Sequence, residues 1–259
     1  MTKCANMEAL CDSYVRAFEK FKQSGAPVRP FVVLAFTQSL DGCIAKQTGG
    51  MRNEVSGENM ILRHRFRSMN DGVLVGRGTI ATDNPILNVR HFEGKSPQPI
   101  ILDSQLRSRI DSRVIQECDL KPWFVFGNSV DAERPPAFIA EGCDLIKVSS
   151  EGENLSLNET LEQLYSMGIK SLVVEGGASI IESFLSQGLA DFVVITISSH
   201  FISEPGAQKY NIHSHGRSPM ISDISTVTVG DEIVAYGEMA FQEQKIGHMR
   251  NQQWPDLRV

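Results

Sequence analysis

Four short segments hold most of the side chains able to do chemistry. Thr37-Gln38-Ser39-Leu40-Asp41-Gly42 carries hydroxyls and a carboxylate, and reads on its own as a tight turn in which Asp41 bonds nearby backbone. Val75-Gly76-Arg77-Gly78-Thr79-Ile80-Ala81-Thr82-Asp83 sets two glycines ahead of a hydroxyl and a carboxylate. Glycines after a strand let backbone approach a ligand, and the amides of a following helix can hold an anion. Thr79 and Asp83 then suit ribose or amide groups; the alternative is that they cap a helix. Arg63, Arg65, Arg67 and Arg90 form a basic set, with Arg63 and Arg67 one helical turn apart. The guanidinium fork grips phosphate oxygens in pairs. For Arg63 and Arg65 a solvated helix face is the simpler reading. Val174-Glu175-Gly176-Gly177-Ala178-Ser179 ends an apolar run on a carboxylate and opens a helix on small residues. A glutamate there is paired or functional, and the small residues would let a pyrophosphate reach the amides.

The elements that must position these groups follow from pattern. Apolar runs at 31–37, 73–76, 100–103, 123–126, 144–148, 171–175 and 191–197 read as strands, several of them buried on both faces. Met7, Leu10, Cys11, Tyr14, Val15, Phe18 and Phe21 repeat at helical spacing, ended by Gly25 and Pro27. A second helix runs from Ser56 to about Asn70. Ser156 with Glu159 reads as a capping box for a third. A fourth follows Gly176-Gly177. Segments 227–229 and 233–236 look like a closing hairpin. Strands alternating with helices give an α/β sheet covered on both faces, with an antiparallel addition at one edge. The expected organisation is a helical extension over 1–27, one domain over 28–243 and a polar tail over 244–259. Ligands of such sheets bind beyond the carboxyl ends of the strands, where all four segments lie.

Composition narrows the function. The 259-residue chain has net charge −6, so bulk attraction to nucleic acid or membrane is not expected. Any anionic ligand must be caught by local basic residues. The five cysteines, Cys4, Cys11, Cys43, Cys118 and Cys143, form no CxxC pair, which fits a reducing, cytoplasmic setting with no zinc site. The amino terminus lacks the apolar core of a signal peptide, and no run is long enough for a membrane span. Phosphate-loop, zinc-protease, nucleophile-elbow and zinc-deaminase motifs are absent. His64, His91, His200, His213, His215 and His248 are scattered, the pair at 213 and 215 in a surface loop.

Taken in order, AFTQSLDGCIA, SGENMILRHRFRSMNDGVLVGRGTIATDNPILNVR, QPIILDSQLR and GIKSLVVEGGASIIESFL resemble the 2,5-diamino-6-ribosylamino-4(3H)-pyrimidinone 5′-phosphate reductases of riboflavin biosynthesis. These are the fungal and archaeal enzymes, related to the reductase half of the bacterial deaminase-reductase. The resemblance implies a dihydrofolate-reductase-like, three-layer αβα fold with a mostly parallel central sheet. It implies a homodimer that uses NADPH and hydride transfer to C1′ of a ribosylamino group. Carried over residue by residue, Thr79, Asp83, Ser104, Val148 and Gly176, Gly177, Ala178 and Ser179 would contact NADPH. Arg67, Leu87, Arg90 and Glu175 would contact substrate, with Asp83 and Glu175 nearest the chemistry and Arg67 and Arg90 on the 5′-phosphate. No metal is implied. The chain departs from the family at 46–55 and at 198–206, where one wall of the site would be reshaped. The alternatives are a reductase of another pterin-like or pyrimidine substrate and a nucleotide-binding paralogue without activity.

Overall fold

The short apolar runs are strands of one sheet, and the amphipathic stretches between them are its covering helices. The structure is a computed structural model and describes residues 2–25, 27–44, 57–209 and 217–243. In chain order the elements are α1 (Thr2–Gln23), β1 (Phe31–Gln38), α2 (Gly57–Ser68), β2 (Gly72–Gly76), α3 (Arg77–Asp83) and β3 (Gln98–Leu102). Then come α4 (Arg113–Gln116), β4 (Trp123–Phe126), α5 (Arg134–Ala140), β5 (Asp144–Lys147), β6 (Ser150–Glu151) and β7 (Asn154–Leu155). The chain continues through α6 (Leu157–Ser166), β8 (Ser171–Val174), α7 (Ala178–Ser186), β9 (Phe192–Ile197), β10 (Arg217–Val229) and β11 (Glu232–Glu243).

The main sheet runs β10-β11-β9-β1-β8-β2-β3-β4-β5. All pairs from β9 to β5 are parallel. β11 pairs antiparallel with β9, and β10 with β11. β8 is inserted between β1 and β2, with Val174 in register with both Leu34 and Leu74. The carboxyl ends of three strands distant in sequence therefore lie side by side. That insertion is what brings Thr37, Gly76 and Glu175 to one place.

Strand alternation divides the core between two faces. Val32, Leu34 and Phe36 of β1 pack with Leu74, Leu172, Val174 and the inner faces of α6 and α7. Phe31 and Val33 point the other way, onto α1, Leu62 and Phe66 of α2, and the hairpin. Val73 and Val75 pack on that second side against Ile80, Ile115 and Phe138. The result is the expected three-layer arrangement of a mostly parallel sheet with an antiparallel hairpin at one edge.

Several expectations are corrected. The hairpin strands are far longer than 227–229 and 233–236, reaching Arg217–Val229 and Glu232–Glu243. Their outer ends alternate polar with apolar residues, so no apolar run announces them. A register shift between Ser222 and Ser225 interrupts the pattern further. The Ser156 capping box is half formed. Ser156 Oγ accepts from the Glu159 amide at 3.3 Å, but the Glu159 carboxylate bonds the amide and hydroxyl of Ser149 instead. Short α4, α5, β6 and β7 were not anticipated. α5 starts with prolines near its first turn, a sound helix opening with little periodicity behind it. Val15 of α1 faces outward at 45% exposure, unlike the rest of its stripe.

Tyr14 fixes α1 on the sheet. Its ring meets Phe31, Phe66 and Phe192 edge-on, with centroids 5.8, 5.6 and 6.1 Å away. Its hydroxyl donates to Asn70 Oδ1 at 3.1 Å, beyond the end of α2. We expect Tyr14→Ala to cost about 3–5 kcal/mol, as for other buried aromatic truncations. Tyr14→Phe should cost about 1 kcal/mol, the net worth of one hydrogen bond. Urea unfolding checks both; a Tyr14→Ala loss no larger than that of Tyr14→Phe would mean that the ring does not hold α1 down.

Candidate active site

At the carboxyl ends of β1, β8 and β2 lies a cavity of ≈ 690 Å³, within the usual range for a small-molecule site. Its lining draws on all four segments singled out above. Thr37 comes from β1, Gly76 from β2, and Thr79 and Asp83 from α3. Leu87 and Arg90 come from the following loop, and Glu175 through Ser179 from the β8–α7 turn. α2 contributes Arg63, His64 and Arg67. The cavity is cationic: among the described residues its lining holds Arg63, Arg67, Arg77, Arg90 and Arg113 against Asp83 and Glu175, with Arg113 also paired to Glu117 outside the lining at 2.9 Å. A chain of net charge −6 thus concentrates positive charge in one place.

The floor is a buried ion pair. Arg67 Nε donates to Glu175 Oε1 at 2.8 Å and Nη2 donates to Oε2 at 2.7 Å. The side chains are 6% and 9% exposed. Arg67 Nη1 also donates to the Asn88 carbonyl at 3.0 Å. The guanidinium is therefore spoken for, and it is not the open fork that a phosphate grip needs. Burial raises the Glu175 pKa, but the Arg67 charge and hydrogen bonds, aided by Arg63 and His64, outweigh it and leave the carboxyl below its ordinary value. Glu175 is therefore ionised at neutral pH and can only accept hydrogen bonds.

The loop after α3 is held in an unusual shape. Asn84 closes α3 in the left-handed region, and Leu87, buried, sits at φ 68. A leucine there is strained, and such strain clusters at functional sites. The loop is fixed by Arg67 on Asn88 and by His64, whose Nδ1 accepts the Arg90 amide at 3.2 Å. Arg90 itself is exposed, with Nη1 on Asn88 Oδ1 at 3.0 Å. Thr79 lies within α3 and Asp83 is its last residue, while the amino-terminal cap is Gly76 without a side-chain bond. The capping alternative for Thr79 and Asp83 is thus not what forms.

The two glycines of the β8–α7 turn have different reasons. A Cβ on Gly176 would stand 2.4 Å from Ile180, so packing alone demands glycine. Gly177 caps α7 with an ordinary φ of −72° and has no atom within 4 Å of a Cβ position. Neither backbone nor packing explains it. Gly78 is equally open. Both sit at helix starts, where first-turn amides lack intrahelical acceptors.

Not every expected residue reaches the cavity. Ser104 and Val148 follow β3 and β5 at the same sheet end but lie outside the lining; the Val148 side chain is core. No residue of 198–206 lines the cavity either. That segment acts at one remove. Asp41 accepts the Ser39 hydroxyl and the amides of Ile202 and Ser203, at 2.5, 3.0 and 3.1 Å. These bonds hold its carboxyl below the usual range. Asp41 is thus a tether between two loops, not a bond to its own turn alone. Residues 46–55, 213 and 215 lie outside the described residues. Arg63 departs from the solvated face expected of it by lining the cavity, whereas Arg65 stacks over the exposed Phe92 ring at 5.8 Å. His64, fully buried, was also missed; its helical spacing from Arg67 was the available signal. Among the described residues no cluster could hold a metal ion, and no helix is long and apolar enough to cross a membrane.

Burial pushes the His64 pKa down to about 4, helped by Arg67, Arg90 and His91. The unfolded chain takes up that proton near pH 6.5. Between the two values the unfolded state binds more protons, so this contribution to stability is full above pH ~6.5 and is lost as pH falls toward ~4. From pH 7 to 4.5 the protein should lose about 1–3 kcal/mol more than its His64→Gln variant. Urea midpoints that fall in parallel would show that His64 does not carry the effect.

Comparison with known proteins gives this geometry a family. Residues 30–234 match the RibD C-terminal domain family. A 2,5-diamino-6-ribosylamino-4(3H)-pyrimidinone 5′-phosphate reductase of Debaryomyces hansenii is 34% identical over 202 residues, 70% of this chain and 79% of that one. The reductase of the same name from Methanothermobacter thermautotrophicus is 34% identical over 176 residues, covering 66% and 78%. The riboflavin biosynthesis reductase of Saccharomyces cerevisiae shares the fold, with a TM-score of 0.68 at 23% identity over 88% of this chain and 98% of that one. The chain belongs to the RibD C-terminal domain family.

Proposed function

We propose that the protein is an NADPH-dependent reductase of 2,5-diamino-6-ribosylamino-4(3H)-pyrimidinone 5′-phosphate that makes the ribitylamino product in riboflavin biosynthesis. The observation that carries this reading is one cavity with two kinds of wall. One side is glycine-fronted helix starts, open to a nucleotide; the other is the Arg67–Glu175 pair beneath an arginine-rich rim. Relatives of this name in yeast and an archaeon share a third of their aligned residues with it.

Gly78, Thr79, Asp83 and Gly176 through Ser179 would hold the cofactor, with Ser104 and Val148 proposed for its far end along the sheet. The open Cβ positions at Gly177 and Gly78 fit backbone approach by a phosphate. A nicotinamide bound there would supply hydride to C1′ of the ring-opened imine, while the imine nitrogen would take a proton from solvent and stay on the product as an amine. The protein's part is placement, worth up to about 7–11 kcal/mol. Ionised Glu175 accepts pyrimidine N–H groups. Arg67 acts through Glu175 by fixing the carboxylate plane, and so is a positioning residue. Exposed Arg90 meets the 5′-phosphate, where water still solvates the dianion. Leu87 packs against the substrate from its strained loop. Asp83 lies near the reacting carbon and assists proton transfer. We propose a cytoplasmic homodimer as the working form.

Absorbance at 340 nm with and without the pyrimidine substrate tests the reading; cofactor binding without turnover would leave a nucleotide-binding paralogue. Arg90→Ala should raise KM for substrate by about 10-fold or more, the loss of one charged hydrogen bond, with NADPH affinity unchanged. Equal loss of both would remove Arg90 from the phosphate. Gly177→Val meets no protein atom near its Cβ, so the fold should survive it. NADPH affinity should fall by at least about tenfold, or 1.4 kcal/mol. Unchanged affinity would remove the diglycine cradle.

A further inference from the structure

Arg63 is a cavity arginine that the mechanism above leaves unused. It lies one helical turn before Arg67 on α2 and lines both the main cavity and an adjoining one of ≈ 30 Å³. Among the described residues its one hydrogen bond is long, 3.5 Å from Nη2 to Thr37 Oγ1, and no carboxylate forms an ion pair with it. Arg67, one turn on, makes three hydrogen bonds, two to Glu175 and one to the Asn88 carbonyl, and neutralises Glu175. The pair is balanced; Arg63 is not. Its guanidinium is half-buried at the cavity wall and none of its unpartnered nitrogens is sealed from water, so its remaining donors are open to a ligand acceptor. Burial lowers its proton affinity, while Glu175, Asp83 and Glu232 keep it charged.

Its neighbour identifies the ligand group. Glu175 lines the same two cavities and, being ionised, only accepts. Arg63 only donates. An acceptor beside a donor matches a flat heterocycle edge that carries an N–H beside a carbonyl. It does not match a phosphate dianion, which Glu175 would repel. We propose that Arg63 determines specificity by donating to the ring carbonyl oxygen of the pyrimidinone while Glu175 accepts from the adjacent N–H. The proposal rests on the reductase reading above.

Arg63→Met and Arg63→Lys in the full chain test it. The substrates are the pyrimidinone ribosyl phosphate and its analogue with hydrogen in place of the ring carbonyl oxygen, which also loses the adjacent N–H, so that the Arg63 effect is read as the change each variant makes on each substrate separately. Arg63→Met should lower kcat/KM for the oxo substrate by about 10- to 100-fold, as for one charge-assisted hydrogen bond, and leave the deoxo analogue within about twofold. NADPH affinity should hold, and the thermal midpoint should stay level, because Arg63 makes only one long hydrogen bond to the described residues. Arg63→Lys should recover part of the loss; if Arg63→Met does not fold, the smaller drop in Arg63→Lys, confined to the oxo substrate, carries the same comparison. Equal losses on both substrates, unchanged kcat/KM, or a loss confined to NADPH binding overturns the proposal. A lowered midpoint with an unchanged oxo/deoxo ratio makes Arg63 a brace for Thr37 and also overturns it. No turnover by the unaltered chain overturns the reductase reading and this proposal together.

Discussion

The buried ion pair between Arg67 and Glu175 sets the geometry of the site. It joins α2 to the end of β8, residues far apart in sequence that the insertion of β8 between β1 and β2 brings together. Two charges this deep gain little net stability, since their desolvation nearly cancels their attraction. Removing one alone is a different matter: the stranded partner costs about 3–5 kcal/mol. The pair is therefore weak as glue and strong as a constraint. It fixes the carboxylate plane, and through the Asn88 carbonyl it also fixes the loop that carries Leu87 and Arg90.

Electrostatics around this pair are arranged by subtraction. The chain as a whole is acidic, so no long-range field gathers anions. Five arginines line one cavity with two carboxylates among them. One of those carboxylates is cancelled by Arg67, and Arg113 is itself paired with Glu117. His64, buried between arginines and held neutral, adds no charge but spends its Nδ1 on the Arg90 amide. What remains is a small excess of positive charge graded by depth: Arg63 inside beside Glu175, Arg90 outside with water. A substrate with a neutral ring and a dianionic tail is matched by that gradient better than by a uniformly basic pocket. On the proposed reading, the flat ring would share the interior with one acceptor and one donor, and the phosphate would keep part of its hydration at the rim.

How much of this was legible in the sequence varied with the physics behind each part. Strands buried on both faces over most of their length, such as Phe31–Gln38 and Ser171–Val174, announce themselves because nearly every buried position is apolar. The outer halves of β10 and β11 do not, because an edge hairpin alternates and can carry Ser, Asp and Glu on its open face. Helix α2 was legible as a helix, but the direction of its arginines was not. Spacing placed Arg63 and Arg67 on one face; only the tertiary structure shows that this face borders the cavity. Arg67 was read as a free fork because its partner lies across the sheet in a pairing that sequence spacing cannot supply. Segment 198–206 looked like a wall of the site, and Asp41 looked like a turn residue; their bonds to each other give both a different role.

The diglycine shows why motif reading reaches only part of the way. As letters, Gly176 and Gly177 are equivalent, and both suggest a phosphate cradle. Physically, Gly176 exists because Ile180 occupies the space of its Cβ, so it would be glycine in a protein that bound nothing. Gly177 has neither a crowded neighbour nor a left-handed backbone to require it. Glycine in that setting carries an entropic penalty on folding and gives no packing in return. Glycine is an accepted helix N-cap, but a side chain would also fit there, and that open space supports the proposed backbone approach by a phosphate. On the proposed reading the cradle would therefore rest on the second residue of the motif, since packing against Ile180 already accounts for the first.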